Sequence, residues 1–317
     1  MTRGVPQGSC LGPLLFLIYV NTLSLLPIHG KLYMFADDGA IFYSRPKNDH
    51  EELKNIIEGD LRCFSDVLND LGLHLNALKT KMMNFHFERT TISQDLYVNV
   101  DGQVVEQVSK IRYLGLLLDS NLNWGPHIDN ISQRTRSIVG ILYRARNILP
   151  KDMRLLIYHT MIQSQFTYMI EVWGGATMSR LQNLQKIQNS ALRNIFELPY
   201  LTPRLAIYGV YARNILPIKA LYERAMSTYV FRVLRGLLQS ELIFNTASHS
   251  YNSRYKELLV RLKCRTESAK KRMLFAGATV FNELPVSCKI SNTLFQFKRR
   301  SKEVFGNSNR LEKYLRY

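Results

Sequence analysis

From Leu32 to Tyr43 the side chains change character every second residue. Leu32, Met34 and Ala36 alternate with Tyr33, Phe35 and Asp37, and Ala40-Ile41-Phe42-Tyr43 forms a second short apolar run. This period of two predicts a pair of strands. Asp38-Gly39 between them predicts a two-residue type I′ turn, because such a turn needs positive φ and glycine supplies it without strain. The hairpin would lift Asp37 and Asp38 to an exposed tip. Leu96–Val100 and Gln103–Val105 flank Asp101-Gly102 in the same manner, predicting a second hairpin, and Met82 to Phe87 reads as a further strand.

Elsewhere the period lengthens to that of a helix. Leu53, Ile56, Ile57, Leu61, Phe64, Leu68 and Leu71 recur at three-four spacing. Asp49 with Glu52 resembles a capping box at the start of that helix, and Gly72 is a stop signal. A second helix is expected from Pro126 (Ile128, Ile131, Thr135, Ile138, Leu142), ending at Pro150; a third from Lys151 to about Trp173; a fourth from Ser179 to Ile195. Tyr168 and Trp173 are read as core, the usual place of aromatics at helical spacing. Leu14–Val20 predicts a buried helix. Asn21, Thr22 and Ser24 end its run short of a membrane span, and no small-residue cleavage pattern makes it a signal peptide.

Length and charge narrow the class. A chain of 317 residues with 46% hydrophobic and 21% charged content is globular and long enough for two or more domains. Cys10, Cys63, Cys264 and Cys288 show no CxxC spacing, which suggests reduced thiols, with no zinc knuckle or disulfide framework. The formal charge of +17 is uneven: residues 1–150 carry 15 Lys and Arg against 15 Asp and Glu, whereas residues 151–317 carry 27 against 10. That asymmetry points to a polyanionic partner for the second half. Tyr208, Tyr211, Tyr222, Tyr229, Tyr251 and Tyr255 lie interleaved with Arg and Lys there.

Asp37 and Asp38 are the first residues with a chemical implication. Adjacent carboxylates repel unless a cation lies between them, and Mg²⁺ takes oxygen ligands while leaving room for phosphate oxygens. A solvated Asp-Asp-Gly turn is the plain alternative. The second feature is the loop Gly4-Val5-Pro6-Gln7-Gly8-Ser9, leading into an apolar helix with Pro13 in its first turn. Glycines there admit close backbone approach, and Gln7 can donate and accept.

Arg3-Gly4-Val5-Pro6-Gln7-Gly8-Ser9-Cys10-Leu11-Gly12-Pro13-Leu14-Leu15-Phe16, followed by Phe35-Ala36-Asp37-Asp38, closely resembles the reverse transcriptases of non-LTR (LINE-like, jockey-type) retrotransposons. Ser9 and Gly12 match the non-LTR version better than that of group II introns. Leu73 to Lys81 looks like the family's next palm motif. Lys110 to Asp119, with Leu122, Trp124, His127 and Ile128, resembles its primer grip. Phe281-Asn282-Glu283-Leu284-Pro285 and Phe297-Lys298-Arg299-Arg300 look like its basic tail. His74, Asp119 and His127 are read as structural.

The resemblance implies an α+β fold: a partial polymerase palm with an antiparallel sheet over residues 1–128, a helical thumb over 129–200, and a basic helical C-terminal region over 201–317. It implies Asp37, Asp38 and Lys79 as catalytic residues, Asp37 and Asp38 being ligands of Mg²⁺ (or Mn²⁺). Lys79 would protonate the leaving pyrophosphate or pair with phosphate, two roles the sequence leaves open. Pro6, Gln7, Gly8, Phe35 and Ala36 would contact nucleotide or template. The implied partners are an RNA template, a DNA primer and deoxynucleoside triphosphates, without a membrane. The family works in cytoplasm and nucleus and is not secreted. Its active site uses three aspartates, the first on a strand upstream of the Pro6-Gln7-Gly8 loop. None of Met1, Thr2, Arg3, Gly4 and Val5 is acidic, and Asn21-Thr22 stands where the family has Asn-Asp. The expected reading is therefore part of an RNA-directed DNA polymerase, with a catalytically inactive nucleic-acid-binding remnant as the alternative.

Overall fold

The computed structural model describes residues 8–44, 50–86, 96–246 and 258–315. It divides into two compact units, Met1–Leu122 and Asn123–Tyr317.

The first unit mixes helices with short strands. Helix α1 (Gly12–Val20) has Pro13 in its first turn, and its Gly12 N–H is met by Ser9 Oγ at 3.0 Å. Strands β1 (Lys31–Phe35) and β2 (Asp38–Phe42) form an antiparallel hairpin. Helix α2 (His50–Asp70) is the spine of the unit. One side of it buries Phe64 and Leu68 against Val20 and Leu23, with Leu32 and Met34 packed on. The other side sets Ile57 against Val98, Val100 and Val105. Gly72, at φ +69°, ends α2 as expected, with Leu73 N–H closing back on Leu68 O at 2.8 Å. Asp49, the other half of the expected capping box, lies outside the described residues.

The remaining strands are β3 (Lys81–Met82), β4 (Val98–Val100), β5 (Gln103–Gln107), β6 (Lys110–Tyr113) and β7 (Leu116–Asp119). The strands form three small sheets among the described residues, β1-β2, β3-β5-β4 and β6-β7, and the β3-β5 pair is parallel. The fold is α+β, as expected, but the anticipated single antiparallel sheet is replaced by these three. Of the strand foreseen from Met82 to Phe87, Met82 alone is in a strand among the described residues, as the end of β3, and Phe87 lies outside them.

Asp101-Gly102 forms the expected turn, with φ of +50° and +78°. A third hairpin turns at Leu114-Gly115, both at positive φ, which Leu114 gave no reason to expect. Helix α1 departs most from expectation. It is not buried: Leu14, Leu15, Leu17, Ile18 and Tyr19 are exposed, and only Gly12 and Val20 are enclosed. Its run is apolar all round, so hydrophobicity alone could not show which side the unit covers.

The second unit is helical. α3 (Gly125–Arg144) ends before the expected Pro150. The helix foreseen from Lys151 to Trp173 is broken. α4 (Lys151–Ile157), a π-helical turn (Tyr158–Gln163) and α5 (Ser164–Thr167) run on, but Tyr168 is extended and Met169 left-handed before α6 (Ile170–Trp173). Trp173 is fully buried and donates from Nε1 to Tyr168 O at 2.9 Å, whereas Tyr168 is exposed, contrary to its reading as core. α7 (Met178–Ile195) packs on α3. Next come α8 (Arg204–Ala206), a π-helical turn (Ile207–Tyr211) and the largely buried α9 (Ile218–Leu234). α10 (Glu267–Lys270), α11 (Met273–Asn282), α12 (Val286–Lys289), α13 (Leu294–Phe305) and α14 (Ser308–Leu315) complete the unit. Phe231 of α9 stacks on Phe297 of α13 at 4.3 Å, and Gln188 of α7 bonds to Tyr208 and to Leu216 O, so residues on both sides of position 200 share one core.

A satisfied polar network fixes α7 among its neighbours. Gln188 Nε2 donates to Tyr158 Oη and to Leu216 O, both at 2.9 Å, and Tyr208 Oη donates to Gln188 Oε1 at 2.9 Å. Burial pushes both phenols up. Fully paired buried networks of this kind specify one packing arrangement, because any alternative orphans several groups.

Candidate active site

The β1-β2 register pairs Phe35 with Asp38 and Met34 with Gly39, so the two-residue turn is Ala36-Asp37. This corrects the expected Asp38-Gly39 turn by two residues. Ala36 takes the positive φ, +54°. Gly39 serves the pairing instead: a Cβ there would stand 3.0 Å from Met34 Sδ. A two-residue shift keeps every side chain on its own face, so the apolar pattern could not discriminate between the two registers. Asp37 lies in the turn, Asp38 begins β2, and both are exposed. Tyr113 of β6 has its phenol pushed up by burial and then by the Asp38 carboxylate. Tyr113 belongs to the stretch that resembles the family's primer grip, but nothing in the sequence assigned it an individual role.

The base of the hairpin is held by a residue the sequence reading passed over. Asp60 of α2, 4% exposed, accepts from the backbone N–H groups of His29 (2.9 Å) and Gly30 (2.8 Å), and pairs with His29 Nδ1 at 3.1 Å. Burial alone would raise its carboxyl. The bonds from Gly30 and His29, with the nearby Tyr43 hydroxyl, outweigh burial and hold it below the usual value. Tyr43, just past β2, is pushed far up by burial and by Asp60. One carboxylate thus sits against both ends of the hairpin. Gly30 permits this closeness, since a Cβ there would fall 2.3 Å from Ile41 Cγ2. An Asp at one position in an amphipathic helix carries a weak signal: it marks a break in the apolar face and no more.

Of the other expected site residues, Gly8 is exposed at φ +82° with open space where a Cβ would be. Pro6 and Gln7 lie outside the described residues. Phe35 is exposed beside the turn. Lys79 is exposed on a turn organised by Asn76, whose Oδ1 accepts from Lys79 N–H at 3.1 Å. Its ammonium is not joined to Asp37 or Asp38 by an ion pair. His127 is buried between the rings of Trp124 and Trp173, a structural place. Among the described residues no three His, Cys, Asp or Glu side chains converge as a metal centre. Asp37 and Asp38 offer two exposed carboxylates of the hard-oxygen kind that suits a divalent cation, with any further ligands left to water or to other groups. No described helix is long and apolar enough to cross a membrane.

Comparison with known proteins gives this arrangement its context. Residues 1–118 match the family model described as "Reverse transcriptase (RNA-dependent DNA polymerase)". The chain is 32% identical over 202 residues, 62% of its length, to a probable RNA-directed DNA polymerase from transposon X-element of Drosophila melanogaster, covering 22% of that protein. It is 30% identical over 212 residues to the corresponding polymerase from transposon BS, covering 63% of this chain and 23% of the relative. With the RNA-directed DNA polymerase from mobile element jockey, also of Drosophila melanogaster, identity is 28% over 213 residues, 63% of this chain and 22% of the relative. The chain spans about a fifth of the length of these curated relatives. No solved structure matches it.

Proposed function

We propose that this chain carries the carboxylate hairpin and the basic helical portion of an RNA-directed DNA polymerase of a non-LTR retrotransposon. In this reading residues 1–128 form part of the palm, residues 129–200 a thumb and residues 201–317 a basic C-terminal region. The observation that carries it is the tight hairpin presenting Asp37 and Asp38 to solvent, within a stretch that matches the reverse transcriptase model.

Asp37 and Asp38 would hold Mg²⁺ or Mn²⁺, which when bound supplies Lewis-acid stabilisation of a phosphoryl group under attack. Asp60 holds the hairpin base, so the carboxylates stay in one place as substrate arrives. Lys79 would place its charge against phosphate oxygens, or give its proton to the departing pyrophosphate. Gly8, with Pro6 and Gln7, would let the backbone approach nucleotide or template, and Phe35 and Ala36 would line the same side. RNA template, DNA primer and deoxynucleoside triphosphates are the substrates this assigns.

The test is a Mn²⁺ titration of the chain followed by paramagnetic relaxation. Binding in the wild type and its loss in Asp37→Asn and Asp38→Asn is the expected result. A titration that those substitutions leave unchanged removes the carboxylate hairpin as the metal site.

A second reading, a non-catalytic nucleic-acid-binding protein, is favoured by the charge of residues 123–317, with 31 Lys and Arg against 11 Asp and Glu. It needs neither metal nor a third carboxylate. Its mark is affinity that falls steeply with salt.

A further inference from the structure

At the C-terminal end of α7 the chain builds a small, rigid platform of aromatic rings and cations. Glu197 turns the backbone through the left-handed region (φ +55°), and Leu198 N–H closes onto Arg193 O at 2.9 Å. Pro199-Tyr200-Leu201-Thr202 then forms a tight turn closed by Thr202 N–H on Pro199 O at 3.0 Å, with Pro203 next. Its two central side chains, Tyr200 and Leu201, are 86% and 87% exposed. Arg193 clamps the turn back to α7 by donating to Thr202 O at 3.0 Å, and the same guanidinium lies 5.7 Å from the centre of the Tyr200 ring.

Beside it, Phe196 carries Lys151 over its ring at 4.6 Å and meets the exposed ring of Tyr211 at 6.4 Å. The only acidic residue between positions 193 and 213 is Glu197, and the buried Arg154 engages it at 2.6 Å. Its charge is thereby offset, and Arg193, Arg204, Arg213 and Lys151 dominate the surroundings.

Two large apolar side chains held out in water by dedicated bonds form a prepared surface. With one face of Tyr200 toward Arg193, its high exposure leaves the other face open. Bases stack on aromatic faces whatever their sequence, and surrounding cations track the phosphates. A duplex keeps its base faces covered, so an outward ring selects unpaired bases.

We propose that Tyr200, with Tyr211, Phe196 and their cations, is a stacking site for single-stranded nucleic acid in the second unit, separate from the carboxylate hairpin. This rests on the nucleic-acid-binding reading above and adds to it a place and a strand preference.

The experiment uses the whole chain, without divalent metal. Fluorescence anisotropy follows a labelled 20-nucleotide oligouridine and, separately, a 20-base-pair RNA duplex. Tyr200→Ala should weaken oligouridine binding about tenfold, the scale of one stacked base. Duplex affinity should stay within about twofold, and Tyr200→Trp should restore the loss, since any aromatic ring stacks. An exposed turn position makes unfolding by Tyr200→Ala a minor concern, and the melting temperature of each variant checks it. If the wild type binds both probes but Tyr200→Ala changes neither, or weakens both equally, the stacking site is overturned and general binding by the basic unit stands. If the wild type binds neither, both fall.

Discussion

Asp60 shows how much one residue can settle. Its carboxylate answers two backbone N–H groups and a ring nitrogen at the entry to β1, while α2 anchors it in the core. Asp60→Ala leaves the Gly30 N–H buried without an acceptor. The expected cost is about 2–3 kcal/mol, from orphaned donors and a lost charged acceptor. Faster amide exchange at Gly30 and a lower urea midpoint for the first unit would report it; an unchanged midpoint would contradict the clamp. The pH dependence has a definite sign. The folded carboxyl titrates below its ordinary 3.8, so its contribution is complete above that value. It is lost as pH falls through the lower folded value, and Asp60→Asn should flatten that acid limb.

At this scale the sequence was partly legible. Asp101-Gly102 was readable because a turn there is the one place where both residues can take positive φ cheaply. Asp38-Gly39 misled for the opposite reason: its glycine is spent on close strand pairing with Met34, and Ala36 bears the strain.

At the scale of elements, α1 is the largest departure from sequence logic. A nine-residue run of Gly12-Pro13-Leu14-Leu15-Phe16-Leu17-Ile18-Tyr19-Val20 reads as core, yet one long side of it faces solvent. Exposed apolar area of this kind drives association. The chain is expected to self-associate or aggregate as concentration rises. Leu14→Lys with Ile18→Lys, four residues apart on that exposed side, should raise the monomer fraction in size-exclusion chromatography with light scattering. It should change unfolding free energy by no more than about 0.5 kcal/mol, as for ordinary surface positions. A large fall in stability would mean that α1 buries this face.

The helices of the second unit were easier to read. α3 and α7 carry clean three-four spacing and start within a residue of the expected Pro126 and Ser179. The break at Tyr168-Met169 was invisible, because its cause is tertiary. Trp173 must enter the core and anchors to Tyr168 O, and a π-helical turn upstream shifts the helical phase.

For the molecule as a whole, the division into units sharpens what composition showed. Residues 1–122 hold 11 Lys and Arg against 14 Asp and Glu, and residues 123–317 hold 31 against 11, net charges of −3 and +20. Cut at the structural boundary, the chain thus separates into a nearly balanced unit and a strongly basic one. Composition of the two halves revealed the sign of this asymmetry but not its edge; the run of cations starts at Arg134, inside α3. Self-repulsion at +20 disfavours a compact state, so a polyanion that bridges these cations should stabilise the second unit as well as bind it. Neutralising about four phosphates of a single strand implies a log–log salt slope near −3, and so roughly a fifty-fold loss of affinity between 50 and 200 mM salt. Anisotropy of the whole chain with oligouridine across that range measures the slope. Differential scanning fluorimetry with the same oligonucleotide should show a melting shift at the low end that vanishes at the high end. Affinity that held constant over the range would mean that the cations of the second unit are solvated surface, and binding would have to come from the rings alone.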